Sequence, residues 1–112
     1  MLYKLIYTHR FIPSIYAGRT IGPIILIRPS HKDDTGLLEH EKVHVRQFWS
    51  TLGLFGIPYL LSKKYRLKCE LAAYKEQLKY YPTDKRSLFA HYLATKYNLN
   101  ITQEEALKLL SE

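Results

Sequence analysis

Leu38-Glu39-His40-Glu41-Lys42-Val43-His44-Val45-Arg46-Gln47 is the stretch that decides how this chain folds and what it can hold. It carries the pattern H-E-x-x-H at His40–His44. Leu37, Leu38, Val45, Phe48, Trp49 and Leu52 give one apolar side at helical spacing, while Glu39, Lys42 and Arg46 give an exposed side. The polar turn Ser30–Thr35 precedes it, with Asp33 and Asp34 where carboxylates favour a helix start, and Gly53 stops it after about Leu52. Residues four apart share a helix face, so the imidazoles of His40 and His44 can converge on one ion at about 2.0–2.1 Å. Glu41 points about 100° away from His40. It can lie beside an ion without binding it and take a proton from water that zinc has made acidic, with a pKa near 7. The plain alternative is two ordinary histidines on a helix flank with Glu41 in a surface ion pair. The mid-helix position and apolar flanks weigh against it.

Upstream, Leu2–Thr8 is rich in β-branched and aromatic residues and reads as a strand. Ile15–Gly22 is ambiguous, with turns marked by Gly18 and Gly22. Ile24–Arg28 is the clearest strand, and Pro23 and Pro29 at its ends suit a sheet edge. Downstream, a break across Gly53–Pro58 leads into a long helix, about Tyr59–Tyr81, ended by Pro82. Asp84 is placed to cap a third helix to about Tyr97, and Thr102 with Glu105 makes a capping box for a short last one. The class is α+β, weighted to helix, in one domain over residues 1–112.

A catalytic tetrahedral site needs a third protein ligand and an open position. The metzincin extension would put a glycine and a histidine at positions 47 and 50; Gln47 and Ser50 stand there. On the following helix, Leu60, Leu67, Leu71, Tyr74, Leu78 and Tyr81 cluster around the direction of Glu70, while Lys64, Lys68, Lys75 and Lys79 crowd the opposite side. A carboxylate on the core-facing half either meets a cation or carries a heavy desolvation cost. Ala72 and Ala73 would let a neighbouring helix approach. Three accounts stand side by side: Glu70 as metal ligand, Glu70 paired with Arg66 at i, i+4, or His91 or another residue as ligand instead. Gln47, three residues past His44, either bonds a ligand or shapes the cleft. Cys69 reads as a buried structural thiol rather than a fourth ligand. His9 and His31 have no evident partners.

Bulk properties narrow the classes further. The net charge is +7 and the pI about 9.5, which leaves nucleic acid open but does not favour it. One cysteine excludes an intrachain disulfide and a Cys-based zinc finger. Ten tyrosines suit a wet cleft. No signal peptide is expected, since Lys4, Thr8, His9 and Arg10 interrupt the start. Leu52–Leu61 is too short to span a bilayer and contains Gly53, Gly56 and Pro58. The expected location is cytoplasmic, with packaging into a particle or non-classical export compatible. Lys63, Lys64, Arg66 and Lys68 form a basic run on a helix.

The stretch Leu38–Gln47 followed by Glu70-Leu71-Ala72-Ala73-Tyr74 resembles the gluzincin zinc metallopeptidases, most closely their minimal single-domain members, the minigluzincins. The resemblance spans roughly Ile24–Tyr81; its specific part is H-E-x-x-H plus a glutamate 26 residues after His44. It implies one Zn2+ on His40, His44 and Glu70, with Glu41 as general base and later proton donor. It implies a small N-terminal sheet packed on an active-site helix and a glutamate helix; the two C-terminal helices are read from the capping residues alone. It also implies that an edge strand, Ile24-Ile25-Leu26-Ile27, pairs with an extended peptide substrate. Several gluzincins carry an aspartate four residues after the ligand glutamate, supporting a ligand histidine; Tyr74 stands here, so Tyr74, Gln47 or a backbone carbonyl takes that task. The electrophile for the oxyanion is sought among Tyr74, His91 and Tyr92. The expected activity is peptide-bond hydrolysis of the endopeptidase kind on a peptide or protein substrate, narrow or latent because the chain is small. The rival is a non-enzymatic zinc-stabilised module that binds nucleic acid or a protein partner through the basic helix.

Overall fold

The computed structural model describes residues 1–54 and 56–112; the expected break across Gly53–Pro58 includes Phe55, which lies outside them. Three strands, β1 (Lys4–Tyr7), β2 (Gly18–Ile21) and β3 (Ile24–Ile27), precede α1 (Thr35–Ser50), α2 (Gly56–Leu61), α3 (Lys63–Gln77), α4 (Arg86–Thr95) and α5 (Gln103–Leu110). The class is α+β, a small sheet with five helices.

The sheet order is β1-β3-β2, with β1 parallel and β2 antiparallel to β3. Gly22 and Pro23 make the two-residue turn between β2 and β3. Gly22 has φ +58, and proline cannot follow it with a positive φ, which selects the II′ geometry suited to strand twist. Ile24–Ile27 is therefore the central strand, not the expected edge. Pro23 and Pro29 lie outside it, so no ladder amide is missing. Its continuous apolar run is that of a strand covered on both faces, since the successive residues Ile25, Leu26 and Ile27 are all buried.

Ile25, Ile27 and Val45 form a first core with Leu5, Leu37 and Leu38, which seats the sheet on α1. A second core, around Tyr74, Phe89, Leu93, Leu99, Ala106 and Leu110, lies among α3, α4 and α5. Helices α1 and α3 pack together between the two cores. Asp34 caps α1 by accepting from Leu37 N–H. The same carboxylate accepts from Tyr81 O–H at 2.7 Å, tying the end of the α3 segment to the start of α1. The Tyr81 ring occupies the space a side chain at Gly36 would take, since a Cβ there would sit 2.6 Å from its Cζ.

The single long helix expected over Tyr59–Tyr81 is two helices. Ser62 adopts an extended conformation and its hydroxyl accepts from Tyr65 N–H, capping α3 and setting α2 apart. Beyond α3 one 3-10 turn, Leu78–Tyr80, completes the segment. Asp84 accepts from Arg86 N–H at the start of α4, which ends at Thr95 rather than near Tyr97. The Thr102–Glu105 capping box forms at α5 as expected. Among the described residues, no helix is long and apolar enough to cross a membrane.

Candidate metal centre

The residues of α3 that are buried are Arg66, Cys69, Glu70, Ala73, Tyr74 and Gln77, a stripe at helical spacing of which half is polar or charged. α1 turns His40, Glu41 and His44 towards it, all buried. His40 Nε2 lies 3.3 Å from Glu70 Oε1, and His44 Nε2 lies 3.2 Å from both Glu70 oxygens. One ligand atom from each of the three residues falls within 4.8 Å of the others. His40, His44 and Glu70 are thus close enough to hold a metal ion.

The hydrogen bonds around the cluster test whether a cation fits. Gln47 Nε2 donates to Cys69 O at 3.1 Å, so its Oε1 is the atom facing His44 Nδ1 at 2.8 Å. Nδ1 must therefore carry the hydrogen. In neutral His44, Nε2 then presents a lone pair to the Glu70 carboxylate in a buried site. Two facing acceptors are repulsive there unless a proton or a cation lies between them. His40 Nδ1 is buried and has no hydrogen-bond partner among the described residues, so this ring's polar contacts run through Nε2. Two imidazole nitrogens and one carboxylate oxygen converging in this way fit a divalent ion.

Without a cation the cluster must hold a proton. Burial disfavours the charged His44 ring, but the charge and hydrogen bond of Glu70 outweigh it and push the pKa up to about 9. Burial likewise works against the Glu70 carboxylate, yet His44 and the hydrogen bonds from both histidines hold it well below the ordinary range. Tyr59, on α2, donates its hydroxyl to Glu70 Oε2 at 2.5 Å, a short charge-assisted bond. Burial, then the neighbouring Glu70 charge, raises the Tyr59 pKa far above its usual value, so it remains a donor.

Arg66 does not pair with Glu70. Its guanidinium is buried and donates to four carbonyls, those of Tyr59, Leu60, Tyr97 and Asn98. It clamps α2 against the segment after α4, where free carbonyls carry partial negative charge. The Tyr59 backbone is held by the same clamp, which sets its hydroxyl against Glu70.

Glu41 lies beside the cluster. Thr20 of β2 donates its hydroxyl to Glu41 Oε1 at 2.9 Å, and Glu41 Oε2 is 3.9 Å from His40 Nε2. His40 and Glu41 form part of the wall of a cavity of about 250 Å³, which Tyr16, Tyr74, Tyr92, Tyr97, Lys85 and Lys96 also line. Tyr16 closes across it, donating its hydroxyl to Lys96 O at 2.7 Å.

The other expected residues are distributed as follows. The Tyr74 ring packs edge-on against His40 with centroids 4.4 Å apart, and its hydroxyl is engaged with Tyr97 at 2.6 Å. Gln47 touches His44 directly. His91 is exposed on α4 and does not line the cavity. Ile24, Ile25, Leu26 and Ile27 have both edges occupied, by β1 and β2, and offer no free edge to a peptide. The sheet edge near the cavity belongs to β2, whose Gly18 lines it. His9, expected without a partner, meets Arg28 at 3.3 Å, and His31 lines the cavity. Tyr59, Thr20 and Tyr16 were missed. A lone threonine in a strand and tyrosines remote in sequence carry no signal of their own. Comparison of the chain with protein-family models, with curated proteins and with solved structures finds no match in any of the three.

Proposed function

We propose that this chain is a zinc-dependent hydrolase of peptide bonds, of the gluzincin kind, with His40, His44 and Glu70 as ligands and Glu41 as general base. Support comes above all from the convergence of His40 Nε2, His44 Nε2 and the Glu70 carboxylate, with the His44 tautomer fixed by Gln47. Two nitrogens and one oxygen, in a buried set of three, match zinc's preference and leave a position for catalysis. When bound, zinc supplies Lewis acidity, polarising a carbonyl oxygen and making water acidic near neutrality.

The chain's own groups do the rest. Thr20 holds Glu41 Oε1, so Oε2 is the oxygen that takes the proton from the attacking water and later gives it to the leaving amine. Gln47 orients His44, and Tyr59 holds Glu70. The aromatic cavity next to Glu41 receives the substrate, and the unpaired edge of β2 takes the aligning task that the resemblance gave to β3. Tyr74 and Tyr97, sharing one hydroxyl–hydroxyl bond at the cavity wall, are the donors we assign to a developing oxyanion.

The test is Glu41→Gln assayed on a quenched fluorescent peptide library, with metal content measured in parallel. Metal retained and hydrolysis lost supports the role of Glu41. Hydrolysis at the wild-type rate in the variant, or no hydrolysis by the zinc-loaded wild type on any member, counts against an enzyme.

A further inference from the structure

The connection from α1 to α3 exposes its aliphatic side chains instead of burying them. Leu52 is 89% exposed, Leu54 62%, Ile57 61%, Leu60 75% and Leu61 83%. No residue of α2 is buried. Single exposed leucines are ordinary on a protein surface; five large aliphatic residues exposed within ten positions are not.

Leu52 adds an independent sign. Gly53 N–H donates to Phe48 O at 2.8 Å and Leu52 N–H to Trp49 O at 3.1 Å, the paired bonds of a Schellman ending. Leu52 takes the left-handed position of that motif at φ +54, where glycine is usual and a branched side chain is strained. That strain is borne by a side chain that gains no burial within the fold.

Charge indicates what covers the surface. Between Glu41 and Glu70 the sequence has no acidic residue and six basic ones, Lys42, Arg46, Lys63, Lys64, Arg66 and Lys68. Lys42 pairs with Glu39, and Arg66 is spent on carbonyls. Lys63 and Lys64 follow the exposed Leu60 and Leu61 after a single residue, Ser62. Lys64 and Lys68, with Lys75, edge a shallow groove floored by Leu67, Leu71, Ala72 and Leu109. Trp49 is 44% exposed and its indole N–H donates to Leu2 O, the arrangement of an aromatic ring at an apolar–polar boundary. A second copy of the chain would set these lysines against one another across a two-fold axis at a net charge of +7 each.

We propose that this surface docks on an anionic lipid bilayer. Leu52, Leu54, Ile57, Leu60 and Leu61 enter the boundary between headgroups and acyl chains, and Lys63, Lys64 and Lys68 meet lipid phosphates. This is peripheral binding and independent of the metal centre.

The test is co-sedimentation of the full chain with vesicles of phosphatidylcholine alone, or of phosphatidylcholine with roughly a third phosphatidylglycerol. The protein should pellet with the anionic vesicles only, and less at high salt. Leu52→Asp/Leu61→Asp should weaken partitioning by about tenfold for each leucine removed. Lys63→Gln/Lys64→Gln should weaken it roughly thirtyfold. All four residues are exposed, so circular dichroism should match wild type and no variant should melt lower; aspartate tolerates the left-handed conformation of Leu52 better than leucine does. Protein that stays in the supernatant with anionic vesicles, or binding unchanged in both variants, overturns the proposal. So does a dimer in light scattering that Leu61→Asp converts to monomer, or salt-sensitive binding to duplex DNA without vesicle binding.

Discussion

Emptying the proposed metal site should turn a nearly level pH dependence between pH 6.5 and 9 into a steep loss of stability. In the metal-free cluster, the proton on His44 is what reconciles its ring with the Glu70 carboxylate. Its pKa rises from 6.5 to about 9, because the charge and hydrogen bond of Glu70 outweigh burial. A raised folded-state pKa contributes stability that is complete below pH 6.5 and lost as pH climbs through 9. For His44 that contribution is about 3 kcal/mol. Glu70 is shifted the other way, so its contribution is present above its ordinary 4.5 and disappears only in acid, outside this window. For a domain of about a hundred residues, the His44 loss corresponds to a fall in Tm of roughly 10–20 °C. With zinc in excess that loss should vanish and the curve should run nearly level. The ion competes with that proton for His44 Nε2, so binding tightens and stabilises more as pH rises. Thermal melts across pH 6–9, with EDTA and with excess zinc, read both curves. Diverging slopes are expected; parallel slopes would refute the reasoning, because they would mean that zinc and the His44 proton do not share a site.

Three further outcomes follow from single contacts. Tyr59→Phe removes the 2.5 Å bond to Glu70 Oε2 and should lower metal affinity by about ten- to a hundredfold with the fold intact, read by competition with a chromophoric chelator; unchanged affinity would make Tyr59 a bystander. Gly36→Ala places a methyl 2.6 Å from Tyr81 Cζ and should destabilise by about 1–3 kcal/mol in urea, despite alanine's better helix propensity. Adding Tyr81→Ala should relieve the clash, and a Gly36→Ala protein as stable as wild type would contradict the packing. Burial pushes the Cys69 thiol up to about 11, with the Tyr65 hydrogen bond offsetting part of it. The native protein should therefore react with a disulfide reagent at pH 8 on the order of a hundredfold slower than in denaturant.

Helix periodicity made the centre of the site readable, because an i, i+4 pair of histidines needs nothing beyond a helix to converge. Glu70 was readable as the carboxylate on the half of α3 that faces inward. The exact stripe was not. Leu67, Leu71 and Leu78 are only half-buried, while Arg66, Cys69, Glu70 and Gln77 are buried, so apolar patterning found the right half of the helix and misjudged its centre. Arg66 sits four residues from Glu70, but its partners Tyr97 and Asn98 lie 31 and 32 residues away, where no local rule reaches. Tyr59 meets Glu70 only because Ser62 breaks the chain into two helices. Prolines flanking β3 pointed to an edge, yet proline hinders pairing only where its own amide is needed, and both lie outside the ladder.

The most direct measurement is elemental analysis of wild type and Glu70→Ala, purified without added metal and checked by circular dichroism. One zinc per wild-type chain, with little in the variant at equal helix content, is the predicted result. Wild type lacking any transition metal, or a folded Glu70→Ala protein that keeps its zinc, would contradict a site built from His40, His44 and Glu70.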